Sequence, residues 1–309
     1  MAMSDNAKGA LLMCVSMGAF CINDGFMKEN FETSPVAQTI FIRGLFASAI
    51  LVAWAQATGA LRFRPARHEI RPLVFRSIGE ILGTASFMMA LSHMPLANAT
   101  AVLQGAPLAV TMAAALFLGE KVGWRRWSAI MVGFIGMLVM LRPGGADFDL
   151  YAIFAVFAVL FIVLRDLGTR GMSAATPTLY ASAISAVCIT VVSGLVIPFE
   201  GWKVPVGREA LLAACSAAFI IVGYVTNVGS MRFGDVSAVS PFRYTVLIWA
   251  LLIGYFGFGQ VPDTMTLIGA AIVVAAGLYT LWREQIRGQD IGARSSARPF
   301  SPAQEEPEA

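Results

Sequence analysis

The stretch Leu96–Leu118, LANATAVLQGAPLAVTMAAALFL, decides the architecture. It has no charged side chain, and it is bounded by Pro95 on one side and Gly119-Glu120-Lys121 on the other. A bilayer core about 30 Å thick takes about 20 apolar residues per helix, so this run is long enough to cross it. Working outward, nine more runs of the same kind fill the chain. The expected spans are 8–28, 35–57, 72–92, 96–118, 122–142, 148–167, 175–198, 207–230, 236–258 and 264–282. The composition agrees, with 57% hydrophobic and 13% charged residues and a mean hydropathy of +0.71. A soluble bundle keeps a polar face on each helix, whereas these spans are apolar nearly all round. The fold class read here is an all-α integral membrane protein with ten transmembrane helices.

Small residues are frequent, as in Met112–Ala115 and Gly269–Ala276, and they let helix backbones approach closely in lipid. The first span reads as an uncleaved helix. Lys8 is its one leading charge, and no small-residue cleavage site precedes Asn23-Asp24. Cys14, Cys21, Cys188 and Cys215 all fall inside spans without metal-ligand spacing and read as packing residues. His68 and His93 are expected in loops, so neither a metal nor a cofactor is expected.

Charge is distributed unequally between the loops. Counting alternate loops from the N-terminus, one set holds Lys8, the arginines of 62–71, Lys121 with Arg125 and Arg126, Arg165, Arg170, Arg232 and the tail arginines. The other set holds Lys28, Arg142, Lys203 and Arg208. The positive-inside rule then places both termini in the cytoplasm. Topology accounts for the basic loops, so no nucleic-acid partner is expected. From about Gln285 the composition turns to Arg, Ser, Pro and Glu, which reads as a disordered tail over 285–309.

The halves resemble each other at a shift of about 140 residues. Gly83 matches Gly223, Ala90-Leu91 matches Ser230-Met231, and Gly119-Glu120 matches Gly259-Gln260. Ser128 and Gly136 match Gly269 and Gly277 with one further residue of shift. Each half holds five spans, and an odd number inverts the second half relative to the first. Two inverted five-helix repeats are a common layout for alternating access around a midplane site.

The segment Pro95-Leu96-Ala97-Asn98-Ala99-Thr100-Ala101, continuing through Pro107 to Leu118-Gly119-Glu120-Lys121, then Trp127–Gly136 and Leu141-Arg142-Pro143, resembles the drug/metabolite transporter superfamily in its EamA-type branch. Arg43 in the second span fits the same pattern, whereas Gln260 stands where that family often has Glu. The resemblance implies an EamA-like repeat over 8–142 and a second over 148–283. It implies a bacterial inner-membrane carrier for a small organic metabolite that works without ATP. The absence of a Gly-x-x-x-x-Gly-Lys-Ser/Thr loop agrees with that.

Charges at bilayer depth cost about 2.5–3.5 kcal/mol each on insertion scales, so each needs a reason. Arg76 and Glu80 share a helix face four residues apart and are expected to pair. Glu80 lies deeper and is the carboxylate expected to bind a coupling proton. Arg43 is expected to pair with Asp24 or to bind an anionic group. Arg243 follows Pro241-Phe242 in a polar, Pro-interrupted segment, Ser237–Tyr244, where a broken helix frees backbone groups at cavity depth. Arg165 and Asp166 read as interfacial. Asn23, Thr84, Gln104, Tyr224, Asn227 and Tyr244 suggest a polar cavity lined by spans 1, 3, 4, 8 and 9, with Trp249 in an aromatic wall.

These residues point to a secondary transporter for a small organic solute. An amino-acid-like solute would place its carboxylate on Arg243 or Arg43 and its amine on Glu80. A vitamin or nucleoside-like solute such as riboflavin would use the aromatic wall and the amides. A membrane-embedded enzyme acting on a lipid or isoprenoid is the alternative, and it would place polar pairs at one interface. The residues leave import against export, the coupling ion and the oligomeric state open.

Overall fold

The computed structural model describes residues 4–119, 122–142, 150–173, 176–205, 207–233 and 235–296. The described residues contain ten helical spans long and apolar enough to cross a membrane. Eight are single helices: α1 (Asp5–Phe31), α2 (Val36–Ala57), α3 (Arg67–His93), α6 (Trp124–Leu141), α7 (Ala152–Arg170), α8 (Thr178–Glu200), α9 (Gly207–Phe233) and α12 (Thr264–Ser296). The fourth span is divided into α4 (Leu96–Leu103) and α5 (Ala106–Phe117). The ninth runs through α10 (Val236–Val239), a 3-10 turn over Ser240–Thr245 and α11 (Val246–Phe258).

Local chemistry sets the ends. Ser4 Oγ accepts from Ala7 N at 3.3 Å and caps α1, with Asp5 in the first turn. Pro35, Pro95 and Pro177 stand in extended or near-extended backbone just before α2, α4 and α8. α3 starts earlier than the expected 72, because Glu69 Oε2 accepts from Ala66 N at 3.0 Å and closes a first turn there. His68 and His93 therefore sit in the first and last turns of α3 and not in loops. α12 continues to Ser296, past the expected start of the tail at 285. The segment Trp282-Arg283-Glu284-Gln285 is made of residues compatible with helix, so an established helix extends through it. Residues 297–309 of that expected tail lie outside the described residues.

The break in the fourth span was not expected. Pro107 has no N–H, and its ring opposes the carbonyl of Leu103, so the ladder there shortens. Gln104 N bonds Ala101 O and Gly105 N bonds Val102 O, both at 3.1 Å. The ninth span breaks at Pro241 for the same reason, as its sequence suggests.

Four helix pairs cross the two halves most extensively: α1 with α9, α3 with α7, α2 with α8, and α6 with α12. In span numbers these are 1 with 8, 6 with 3, 2 with 7 and 5 with 10. Exchanging the halves turns the first pair into the second and leaves the other two unchanged. This is the pattern of a pseudo-two-fold axis relating inverted repeats. Glycine allows the closest crossing. A Cβ on Gly79 would lie 2.5 Å from Arg165 N, and one on Gly168 would lie 2.6 Å from Arg76 N. The α3 and α7 backbones therefore touch, and α7 is pressed against Glu80's helix. Large apolar side chains such as Leu116, Phe117, Phe199 and Phe256 are exposed on the outside, as lipid contact requires.

The helix ends form two faces: a near end, where α1 begins, and a far end, where it finishes. At the far end Glu29 pairs with Arg208, and Arg142 with Asp263. Gln38 Nε2 donates to Lys203 O at 2.7 Å, while Lys203 N donates to Gln38 Oε1 at 2.9 Å. Ala37 N donates to Glu200 Oε2 at 2.9 Å, and Leu96 N to Gln260 Oε1 at 3.0 Å. Each of these joins one half to the other. At the near end, links between the halves include Asn6 with Asp235, Glu69 with Thr176 and Arg76 with Thr169.

Candidate functional site

A polar cavity opens between α2, α3, α8 and α9, which are two helices from each half. It runs from Arg43, Ile189 and Tyr224 at depth to Leu51, Arg76 and Ser182 toward the near end. Its volume is about 60 Å³, enough for a few waters and well below the roughly 300 Å³ of a small-ligand pocket. A larger hollow of about 390 Å³ between α4, α11 and α12 is lined by alanines, leucines and valine and carries no charged residue.

α2 supplies Arg43, which is only 6% exposed. Its one hydrogen bond among the described residues is long, from Nη1 to Asn23 Oδ1 at 3.5 Å. Among the described residues no carboxylate comes within 4.0 Å of it. Asp24, Tyr224 and Glu80 lie within electrostatic reach. The expected Arg43–Asp24 contact pair is therefore absent, because the Asn23 amide sits between the two: its Nδ2 donates to Asp24 Oδ1 at 2.8 Å. Asn23 also accepts from Ser216 Oγ of α9 at 2.7 Å.

α3 supplies Glu80 and Thr84. Glu80 pairs with Arg165 Nη1 at 3.6 Å, and Arg165 Nε donates to Asp166 at 2.8 Å. The expected Arg76–Glu80 pair does not form, because Arg76 Nη1 instead donates to Thr169 Oγ1 at 2.8 Å. The Gly79 crossing is the cause, since it carries Arg165 into the bundle beside Glu80. Arg165 and Asp166 are thus not simply interfacial.

Of the ten site residues read from sequence, Arg43, Glu80, Thr84 and Tyr224 line the cavity, and Asn23 stands behind Arg43. Arg243 is exposed, and its charge reaches Asp166 and Arg165. Tyr244 is 7% exposed and packs against Gly277, with no hydrogen bond to its hydroxyl. Trp249 pins α11 to α1, its Nε1 donating to Cys14 O at 3.1 Å and its ring lying over Gly18. Gln104 marks the α4–α5 break, and Asn227 lies one turn beyond Tyr224 on α9. The helices lining the cavity are spans 2, 3, 7 and 8, so 1, 4 and 9 contribute support and not lining. Sequence reading missed Ser182 and Ser185 of α8. Their signal was a small polar pair three residues apart on one face of an otherwise apolar span.

Residues 7–142 match the EamA-like transporter family. The chain is 28% identical over 277 residues to the S-adenosylmethionine uptake transporter of Rickettsia felis, covering 89% of this chain and 92% of that one. It is 22% identical over 270 residues to the pseudopaline exporter CntI of Pseudomonas aeruginosa, covering 87% and 94%. It is 26% identical over 262 residues to a riboflavin transporter of Rhizobium johnstonii, covering 82% and 83%. A solved crystal structure with 21% identity superposes at a TM-score of 0.61, covering 90% of this chain and 98% of that one, and shares its fold. The family match on the first half, transporter relatives aligned along both halves, and ten spans paired as inverted repeats together support a small-metabolite transporter of the drug/metabolite transporter type.

Proposed function

We propose that this transporter is a secondary carrier of the bacterial inner membrane for a solute bearing both a carboxylate and a cationic group, an amino-acid-type headgroup. The observation that carries this reading is Arg43, a buried guanidinium facing the polar cavity with one long hydrogen bond and no carboxylate in contact among the described residues. A buried cation without a full set of partners is costly, and an incoming carboxylate relieves that cost through short charge-assisted bonds. Glu80 faces the same cavity and receives the solute's cationic group in exchange for Arg165. The Thr84 and Tyr224 hydroxyls line the space between them and orient the solute. The cavity is too small for such a solute, so loading parts α2 and α3 from α8 and α9. The repeats then rock between near-open and far-open forms. The basic near end is the cytoplasmic one by the positive-inside rule.

Of the cargoes that the relatives are named for, S-adenosylmethionine carries an amino-acid headgroup and riboflavin does not, so the charged lining favours the former. The test is uptake of labelled S-adenosylmethionine into vesicles containing the purified protein. Saturable uptake is expected, with competition by amino-acid-bearing compounds and none by riboflavin. Replacing Arg43 with Gln should weaken apparent affinity by roughly 10- to 100-fold, from about 1.5–3 kcal/mol for a hydrogen bond to a charged group. Competition by riboflavin, or unaltered affinity in Arg43→Gln, would remove the headgroup assignment.

A further inference from the structure

We propose that Asp24 is the carboxylate that binds the coupling proton, a role that rests on the carrier reading above. Asp24 lies about two turns inside the far end of α1 and is partly buried. Around it α1 presents Cys21 and Met27, both fully buried, so its surroundings are largely apolar. Its one hydrogen bond among the described residues comes from the Asn23 amide. No lysine, arginine or histidine nitrogen among the described residues comes within 4.0 Å of it.

Two carboxylates of α3 and α7 are differently placed. Glu80 and Asp166 both contact Arg165, at 3.6 and 2.8 Å. A carboxylate in contact with a guanidinium has its charge matched, whereas one held only by a neutral amide in an apolar setting has no charge partner and is the one open to a proton. The charged groups facing Asp24 are few. From α2 comes Arg43, beyond contact, and on its own helix the Cys21 thiol. α3 brings Glu80 and α9 brings Tyr224, and both act on Arg43. The turn before α11 brings Arg243, which faces Asp166. α4, α10 and α11 carry no carboxylate, amine or imidazole.

The geometry also says what the proton does. Asn23 links three groups: it donates to Asp24, and accepts from Arg43 and from Ser216 across the repeats. With a proton on Asp24, Arg43 is free to hold the solute carboxylate and the Asn23–Ser216 bond stands. When the proton leaves, the ionised carboxylate draws Arg43 toward it. The Asn23 amide is displaced, its bond to Ser216 is lost in the α1–α9 crossing, and the solute carboxylate loses its partner. Proton and solute therefore bind together and leave together, which is symport.

The experiment uses the full chain in vesicles of phosphatidylethanolamine and phosphatidylglycerol. The infrared carbonyl stretch of protonated carboxyl groups is followed from about pH 6, above the range in which ordinary exposed carboxyls protonate, to alkaline pH, with no solute present. The expected result is a band that titrates in the parent protein, shifts on labelling with isotopic aspartate but not glutamate, disappears in Asp24→Asn and persists in Glu80→Gln. A titrating band that follows the glutamate label or survives Asp24→Asn overturns the proposal, and so does the absence of any band. The isotope arm decides even where Asp24→Asn fails to assemble. In the transport arm, labelled S-adenosylmethionine should accumulate under an inward proton gradient in the parent protein. Asp24→Asn should show exchange without such accumulation, and gradient-driven accumulation in that variant overturns the role. Failure of the parent protein to move S-adenosylmethionine, with the infrared result intact, overturns the cargo assignment instead.

Discussion

The two ends of the bundle are joined differently. At the far end, two ion pairs and a set of helix-end hydrogen bonds tie the repeats together at α1–α9, α2–α8, α4–α11 and α6–α12. At the near end the links include Asn6 with Asp235 and Arg76 with Thr169, with no helix-end clasp like that of Gln38 on Lys203 among those described, and the polar cavity reaches down toward that face. Helix packing alone would make the ends equivalent, since the pseudo-two-fold exchanges them. The difference therefore lies in side chains: the repeats share a backbone arrangement but not a charge pattern.

Locking the far end should have the largest effect. In a background with the four native cysteines replaced by alanine, a thiol-reactive bridge between Glu29→Cys and Arg208→Cys should abolish transport while leaving the near end open. A membrane-impermeant thiol reagent applied from the near side should then still reach Ser185→Cys and fail to reach Gln38→Cys. Labelling of Gln38→Cys from the far side in the unlocked protein, as fast as an exposed thiol, would show that the far end is not the sealed one.

Next in size is the crossing that holds the inner ion pair. Gly79→Leu would force side-chain atoms into the Arg165 backbone and should destabilise the fold by about 1–3 kcal/mol, read as a lowered thermal midpoint in detergent. The same change on Gly59, which has open space around its Cβ position, would introduce strain only from its φ of 73°. It therefore serves as a comparison outside the bundle.

Gln38→Ala should have a smaller effect. It removes the reciprocal pair with Lys203, worth about 1 kcal/mol per hydrogen bond, and should raise the far-open population roughly 5- to 30-fold. Far-side labelling of a cavity cysteine reads that shift directly, and an unchanged rate would mean that the pair does not seal.

The smallest effect belongs to Asp263. Its carboxyl is held below the usual range by the Thr266 backbone N–H at 2.9 Å, with the Thr266 hydroxyl and Arg142 adding to it. A depressed carboxylate contributes stability above its unfolded value, about pH 3.9, and that contribution is lost as pH falls through the lower folded value. Asp263 is half exposed, so less than about 1 kcal/mol is at stake. Thermal midpoints of the parent protein and Asp263→Asn should differ slightly from neutral pH down to about pH 4 and converge below that.

Most of the fold was legible because hydrocarbon imposes one rule on every span. Uncharged runs such as Leu96–Leu118 had to be helices, and an odd number of spans per half had to invert the second half. The break at Ser240–Thr245 was visible in Pro241 and its polar neighbours, while Pro107, inside an apolar run, hid the matching break in the fourth span. The site was less legible because it depends on which helices meet. Arg76 and Glu80 share a face, yet Gly79 admits α7 so closely that Arg165 takes the carboxylate and Thr169 takes Arg76. Similarly, nothing in the order Asn23-Asp24 says that the amide will stand between Asp24 and Arg43. Ser182 and Ser185 were overlooked because a lone hydroxyl in an apolar span normally satisfies its own helix's carbonyls.

The clasp of Gln260 on Leu96 N has a mechanical consequence. α4 is only two turns long and is cut from α5 at Gly105, so its leading peptide is anchored to the opposite repeat rather than to its own continuation. When the repeats rock, such a piece travels with its anchor and bends at Gln104-Gly105, like a latch on a door whose hinge lies at Pro107. A carrier built this way need not deform every helix to change its opening: the spans are already interrupted at Gln104-Gly105 and Ser240–Thr245, and bending at those two joints would leave the other helices as stiff levers.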